Sequence, residues 1–128
     1  MKNILVVDDL GIDLMLTRLA LEECCGRGRV GITTAADGEE AYRMVGAGSF
    51  DLLLLDIKMP RVDGFEFLTR LRAEAAPQAP VIILSGSGLA SDRARADALG
   101  ALDYIQKAVD YAGFKRELKA TLGRHGFI

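Results

Sequence analysis

Residues 3–9 read NILVVDD, a short apolar run that is followed at once by two acids. The runs LLLLD at residues 52–56 and VIILS at residues 81–85 follow the same pattern, with Asp56 and Ser85 as their polar ends. Uninterrupted apolar runs of this length are typical of strands that helices cover on both faces. The three runs therefore predict the centre of a parallel β-sheet.

Two further strand candidates carry more polar residues. One spans residues 30–36 and contains Thr33 and Thr34. The other spans residues 102–106 and is interrupted by Asp103. Because short strands and polar side chains are common at the margins of a sheet, we expect these two strands at its two edges.

Segments with helical periodicity follow the strand candidates, which predicts strands and helices in alternation. We expect the helices to span Ile12–Cys24, to open at Asp37–Glu40, to run from Gly64 to a point before Pro77, and to span Ala90–Leu99 and Tyr111–Leu122. The first helix has an apolar face that consists of Ile12, Met15, Leu16, Leu19 and Ala20. This alternation predicts an α/β fold, a doubly wound (βα)5 domain around a five-stranded parallel sheet.

Composition narrows the class of protein. The 128 residues suit one domain, and with half of them hydrophobic and 27% charged the chain is neither disordered nor fibrous. Its 16 basic and 18 acidic residues give a net charge of -2, which argues against binding to nucleic acid or to an anionic membrane. No apolar run approaches the roughly 20 residues of a membrane span. The adjacent Cys24 and Cys25 form no disulfide or zinc pattern, so we expect a cytoplasmic protein.

Polar residues follow the strand candidates at positions that the fold brings together. Parallel strands share one direction, so Asp8, Asp9, Asp56 and Ser85 are expected at one edge of the sheet. The fifth strand brings Lys107 to the same edge. Ligands of open α/β sheets bind at this edge, beside the point where the strand order reverses.

The chemistry of this group indicates phosphoryl transfer. Three close carboxylates repel one another, and at neutral pH they need either raised pKa values or a bound cation. Oxygen ligands without histidine or cysteine suit Mg²⁺. A carboxylate beside Mg²⁺, a lysine and a hydroxyl can act as the nucleophile while the cations neutralise charge on the phosphoryl oxygens.

Four short motifs occur in order along the chain. They are Asp8-Asp9, the stretch DIKMP at residues 56–60 with Gly64 after it, Ser85-Gly86, and GALDYIQK at residues 100–107. With these motifs the chain resembles the receiver domain of response regulators in two-component signalling, over essentially its full length. The resemblance implies a flavodoxin-like fold with strand order 2-1-3-4-5. We expect residues 1–128 to form a single receiver domain without an output domain.

The resemblance implies that Asp56 is the phosphoacceptor and takes the group from a sensor histidine kinase or a phosphotransfer protein. Mg²⁺ would be held by Asp9, Asp56 and the backbone carbonyl of Lys58, and Asp8 would reach it mainly through water. The side chain of Lys58 and the residue Ser87 would tune the lifetime of the phosphoryl group.

Other residues acquire roles in the response to phosphorylation. The resemblance implies that Ser85 and Lys107 bind the phosphoryl oxygens, and that Tyr104 is an aromatic switch that turns inward when Ser85 moves. An unknown downstream protein would then read the face of helix 4, strand 5 and helix 5. The family usually has proline after the lysine, whereas this chain has Ala108. Since a cis bond before a non-proline residue costs about 2.5–4 kcal/mol, we expect a trans bond there.

Rival functions stay open at this point. A small-molecule aspartyl-phosphate phosphatase commonly has a second acid two residues after its nucleophile, where this chain has Lys58. We therefore expect only self-phosphorylation from a donor and self-dephosphorylation. A phosphate-independent binding module or a phosphate sink would keep the same residues, and both a monomer and a phosphorylation-dependent homodimer are compatible with them. His125 lies in a glycine-flanked tail, where we expect it to be solvated.

Overall fold

The computed structural model describes residues 2–9, 11–57, 63–74, 79–86, 90–107 and 110–128. Within these ranges strands and helices alternate, with the bounds β1 (Lys2–Val7), α1 (Gly11–Cys25), β2 (Val30–Ala35), α2 (Gly38–Ala47), β3 (Leu52–Asp56), α3 (Gly64–Arg72), β4 (Val81–Ser85), α4 (Ala90–Ala98), β5 (Asp103–Gln106) and α5 (Tyr111–Arg124). The predicted alternation is confirmed, and most bounds lie within one or two residues of the predicted ones.

The strands form one parallel sheet in the order β2-β1-β3-β4-β5. This order confirms the doubly wound, flavodoxin-like fold, and the two strands with more polar residues lie at its edges as predicted. The strand order reverses between β1 and β3, and ligands of such sheets bind at the carboxyl ends of the strands beside that point. The fold therefore directs attention to the residues that follow β1 and β3.

The leucines of β3 enter two separate apolar layers. Leu53 and Leu55 pack on the side of α2 and α3, whereas Leu52 and Leu54 pack on the side of α1 and α5. All four are buried, and full burial of such a side chain contributes roughly 1.5–3 kcal/mol. Burial on both faces explains why the strand lacks the polar alternation of a half-exposed sheet.

The buried face of α1 shares Ala20 with the predicted face but otherwise differs from it. Thr17, Ala20 and Leu21 are buried, whereas Ile12 is 69% exposed and Met15 is 64% exposed. The helix carries apolar residues on both sides, so its periodicity fits two faces. The face that contacts the sheet was decided by packing between α1, α5 and the sheet, which the local sequence does not encode.

Aspartates immediately precede three of the helices. Asp37, Asp63 and Asp110 stand before α2, α3 and α5, and each side chain accepts a hydrogen bond from the backbone N–H three residues later. Such a cap typically contributes about 1 kcal/mol. The third helix ends at Arg72, earlier than the predicted limit before Pro77, which lies outside the described residues.

The expectation of a solvated His125 is wrong. Its Nε2 lies 2.8 Å from Oδ2 of Asp103, and Arg124 donates to the same oxygen at 2.9 Å. Asp103 belongs to β5, so its side chain connects the end of α5 to the edge strand. Asp103 is 22 residues away from His125 along the chain, so the sequence around the histidine did not reveal this partner.

The described parts of the chain include no helix that is both long and apolar enough to cross a membrane.

Candidate functional site

The carboxyl ends of β1 and β3 bring three acids together. Val7 pairs with Leu55 in the parallel register, so Asp8 and Asp56 follow side by side on neighbouring strands. One carboxylate oxygen from each of Asp8, Asp9 and Asp56 lies within 4.8 Å of the other two. Asp8 is 2% exposed and Asp56 is 6% exposed, whereas Asp9 is exposed to solvent. The fold thus combines two buried carboxylates with a solvent-accessible one. We refer to Asp8, Asp9 and Asp56 together as the acidic group.

This donor set fits the Mg²⁺ that the sequence implies. Its ligand atoms are carboxylate oxygens, the hard ligands that Mg²⁺ prefers. Three like charges at this separation repel one another, and a divalent cation between them removes that repulsion. The exposed Asp9 leaves the group open to solvent, which suits an ion that keeps several of its waters. The predicted backbone ligand at Lys58 lies outside the described residues.

Gly64 supports the backbone at the end of β3. Its N–H donates to the carbonyl oxygen of Ile57 at 2.8 Å. A Cβ at Gly64 would lie 2.5 Å from the carbonyl oxygen of Asp56 and 2.7 Å from Cα of Ile57. Only glycine allows the start of α3 to approach the backbone of the acidic group this closely.

Lys107 brings a positive charge to the acids from the far edge of the sheet. Its Nζ lies 2.9 Å from Oδ2 of Asp8 and 2.9 Å from Oδ2 of Asp13, but 3.8 Å from Oδ2 of Asp56. The backbone N–H of Lys107 donates to the carbonyl oxygen of Ser85 at 2.6 Å. This bond continues the pairing of β4 with β5 and fixes where the side chain starts.

The environment of Lys107 stabilises its charged form. Burial alone lowers the pKa of the Lys107 ammonium, but hydrogen bonds to Asp8 and Asp13 and the nearby charge of Asp56 outweigh it, so the net shift of the pKa is upward. The lysine is therefore a permanent cation at neutral pH. Its charge partly compensates the charges of Asp8 and Asp56. Burial of these carboxylates without a positively charged partner would cost free energy.

Asp13 is a member of this group that the sequence reasoning missed. It lies in the first turn of α1 and shares the Lys107 ammonium with Asp8. An acid in the first turn of a helix is usually explained by its favourable interaction with the helix dipole. A usable signal existed nonetheless, because the first turn after β1 lies at the same edge of the sheet as the acids that end the strand.

Ser85 lies next to the phosphoacceptor candidate. Leu84 pairs with Asp56 across β4 and β3, and Ser85 is the following residue, almost fully buried at the end of β4. The structure therefore places its hydroxyl-bearing side chain on the strand beside Asp56. Ser87, which was predicted to tune the lifetime of the phosphoryl group, lies outside the described residues. Ala108 and its peptide bond to Lys107 also lie outside them.

Tyr104 is buried at the junction of β5 and α4. It pairs with Ile83, two residues before Ser85 on the neighbouring strand. The guanidinium carbon of Arg93, on α4, lies 4.7 Å from the centre of its ring. The ring that the resemblance assigns to a switch is thus in contact with an adjacent helix.

Known proteins match the chain over nearly its whole length. The family model described as the response regulator receiver domain matches residues 4–119. The uncharacterized transcriptional regulatory protein YcbL of Bacillus subtilis (strain 168) is 35% identical over 120 residues, which are 94% of this chain and 50% of that protein. The chain spans about half of the length of several curated relatives that it matches.

Solved structures show the same fold. The phosphorylated cyanobacterial phytochrome response regulator RcpA is 27% identical with a TM-score of 0.85, over 94% of this chain and 91% of that one. TrrA from Thermotoga maritima, in complex with Mg²⁺-BeF, is 32% identical with a TM-score of 0.70, over 94% of this chain and 98% of that one. Together with the match of the family model, these likenesses show that the chain belongs to the response regulator receiver domains of two-component signalling.

Proposed function

We propose that this chain accepts a phosphoryl group on Asp56, in a Mg²⁺-dependent step, from the phosphohistidine of a sensor histidine kinase or a phosphotransfer protein. The observation that carries the proposal is the meeting of Asp8, Asp9, Asp56 and the Lys107 ammonium at one edge of the sheet. Receiver domains are signalling modules that interact with such donors, which supports the assignment of the donor class.

The residues divide the chemistry between them. An oxygen of the Asp56 carboxylate attacks phosphorus and forms the new bond, while the bond between phosphorus and the donor imidazole nitrogen breaks and the imidazole leaves with the electron pair. Lys107, with Nζ 3.8 Å from Asp56, supplies positive charge beside the transferring group. Ser85, on the adjacent strand, would donate its hydroxyl to a phosphoryl oxygen.

Asp8, Asp9 and Asp56 would hold Mg²⁺ together with the backbone carbonyl of Lys58. When bound, the ion neutralises negative charge on the oxygens of the transferring group. The burial of Asp8 and Asp56 limits the screening of these charges by water, so each charge acts more strongly than it would on the surface. Lys58 and Ser87 are proposed to set the lifetime of the product.

The output proposed for this chain is a contact of the α4–β5–α5 face with a downstream protein. A phosphoryl group adds negative charge at Asp56 and would attract Ser85, at the end of β4, and Lys107, directly after β5. Tyr104 lies on β5 and contacts Arg93 of α4, so this contact would carry a movement of the strand to that helix. Tyr104 is therefore proposed as the switch between the site and this face.

The proposal is tested by intact-mass spectrometry after incubation with Mg²⁺ and acetyl phosphate, alongside Asp56→Asn and a sample with EDTA. We expect the wild-type protein to gain one phosphoryl group, and the variant and the chelated sample to gain none. Circular dichroism of Asp56→Asn checks that the variant is folded.

Two results would contradict the proposal. One is the same gain in Asp56→Asn, which would place the phosphoryl group elsewhere. The other is a lack of gain with acetyl phosphate and also with a panel of phosphorylated histidine kinases and phosphotransfer proteins. That second result would favour a phosphate-independent binding module.

A further inference from the structure

The Lys107 ammonium lies at unequal distances from three carboxylates. An ammonium group has three protons to donate, and two of them go to Asp8 and Asp13 at 2.9 Å each. Asp56 is 3.8 Å away, beyond a direct hydrogen bond. The cation is therefore held closer to β1 and α1 than to the residue where a phosphoryl group would be added.

We propose that Asp13 is a positioning residue, which holds the Lys107 ammonium at the α1 side of the site and opposes its transfer to a phosphoryl group on Asp56. The inference rests on the proposed function, because it concerns the response of Lys107 to phosphorylation. Asp8 alone would leave one carboxylate to anchor the lysine. Asp13 adds a second anchor from a separate element, the first turn of α1.

The position of Asp13 determines the sign of its effect. A phosphoryl group on Asp56 competes with Asp13 for the same ammonium, so removal of the Asp13 charge frees the lysine for the phosphoryl oxygens. The loss of a negative charge near the site also reduces repulsion of the incoming anionic group. Both effects favour phosphorylation. The Asp13 side chain is 27% exposed, so its pairing with Lys107 is partly screened by water and its effect is moderate.

The same contact connects the site to the groove between α1 and α5. Asp13 and Lys107 line this groove together with Leu16, Tyr111 and Phe114. When Lys107 turns to the phosphoryl oxygens, its hydrogen bond to the first turn of α1 is released. The wall of the groove then changes at Asp13 and Lys107.

The first test compares the rate at which acetyl phosphate and Mg²⁺ phosphorylate the wild-type protein and Asp13→Asn. We expect Asp13→Asn to react about two- to five-fold faster, the size expected for the loss of one partly exposed ion pair. Asp13→Glu keeps the charge and should restore the wild-type rate.

Asp110→Asn is the matched control. Asp110 is an acid of the same groove and caps α5 by accepting from the N–H of Gly113, a role that asparagine also fills. Its described contacts do not include Lys107. If a general loss of negative charge were sufficient, Asp110→Asn would accelerate the reaction as much as Asp13→Asn does, and that result would overturn the inference.

A second readout does not depend on phosphorylation. Lysine ammonium signals in ¹⁵N–¹H spectra report hydrogen bonding of Nζ, and Lys107→Arg identifies the Lys107 signal by its absence. We expect this signal to shift in Asp13→Asn and to be unchanged in Asp110→Asn. If Asp13 only stabilised α1, the free energy of unfolding would fall in Asp13→Asn while the ammonium signal and the reaction rate stayed at their wild-type values.

The outcomes separate the two proposals. A wild-type protein that takes no phosphoryl group from any donor overturns the proposed function and this inference with it. A wild-type protein that is phosphorylated at the same rate as Asp13→Asn leaves the proposed function standing and overturns the role of Asp13.

Discussion

At the residue scale, the backbone at the end of β3 depends on the lack of a Cβ atom at Gly64. The backbone of α3 approaches that of Asp56 and Ile57 so closely that a single methyl group would overlap with both. The backbone at Asp56 therefore packs closely against the start of α3, while the Asp56 side chain lies near the charge of Lys107. A substitution at Gly64 changes the site without removing any of its functional groups.

We expect Gly64→Ala to lower the free energy of unfolding by about 1–3 kcal/mol, because the added carbon forces the backbone to shift. Gly123→Ala is the matched control, since a Cβ at that position of α5 meets nothing within 4 Å. It should be neutral or stabilising by up to about 1 kcal/mol, the helix propensity of alanine over glycine. Urea unfolding of the two variants checks both values, and an equal loss in the two would contradict the packing argument.

At the element scale, polar contacts join α1 to α5 on the outer side of the apolar layer. Tyr111 donates its hydroxyl hydrogen to Oε1 of Glu23 at 2.7 Å, and Lys115 donates to Oε2 of the same residue at 2.9 Å. Burial, followed by the hydrogen bond and the charge of Glu23, raises the pKa of Tyr111 to about 12. Folding therefore favours the protonated hydroxyl.

This shift predicts how the stability of the protein changes with pH. The folded pKa lies above the value of about 10 for an unfolded tyrosine, so the contribution of Tyr111 is fully present below pH ~10 and is lost as the pH rises towards about 12. We expect Tyr111→Phe to be less stable than the wild-type protein by about 1 kcal/mol at pH ~8, the usual net value of one hydrogen bond. The difference should shrink at pH ~11.

Urea unfolding of both proteins at the two pH values measures this difference. In a Glu23→Gln background the acceptor charge is gone, so the effect of pH on the pair should be smaller. A stability difference between the wild-type protein and Tyr111→Phe that is the same at both pH values would argue against the raised pKa.

The elements also show what the sequence could predict. The run LLLL at residues 52–55 correctly predicted a central strand, because a strand that is buried on both faces consists of consecutive apolar residues. In α1 two faces are apolar, so periodicity alone favoured the one with Ile12 and Met15, which is largely exposed. The partner of Asp13 is 94 residues away along the chain, and only the packing of α1 near the end of β5 reveals it.

At the scale of the whole molecule, the acidic group opposes folding unless a cation balances it. Asp8 and Asp9 follow β1 and Asp56 ends β3, and these two strands must pair to form the core, so the repulsion is imposed by the fold. Lys107 compensates part of that charge. The position of the acidic group was predictable, since strand direction alone brings the ends of β1 and β3 together. The hydrogen bonds of Lys107 to both Asp8 and Asp13 were not predictable.

We expect Asp56→Asn to be more stable than the wild-type protein in EDTA by roughly 1–3 kcal/mol, the energy of one charge pair at about this separation. Excess Mg²⁺ should stabilise the wild-type protein more than the variant, because binding to the folded state alone shifts the unfolding equilibrium. Urea unfolding with and without Mg²⁺ measures both effects. Asp97→Asn, which changes an exposed acid on α4, should respond to Mg²⁺ as the wild-type protein does. A similar response in Asp56→Asn would argue against the metal site.

The contact between Asp8 and Lys107 joins residues that are 99 positions apart. A ribosome adds about 5–20 residues each second, so several seconds of synthesis separate the first acid from the lysine that neutralises it. During the second half of that interval the growing chain already contains Asp56 but lacks the cation beside it. The complete charge arrangement of Asp8, Asp56 and Lys107 therefore exists only in chains whose synthesis has passed Lys107.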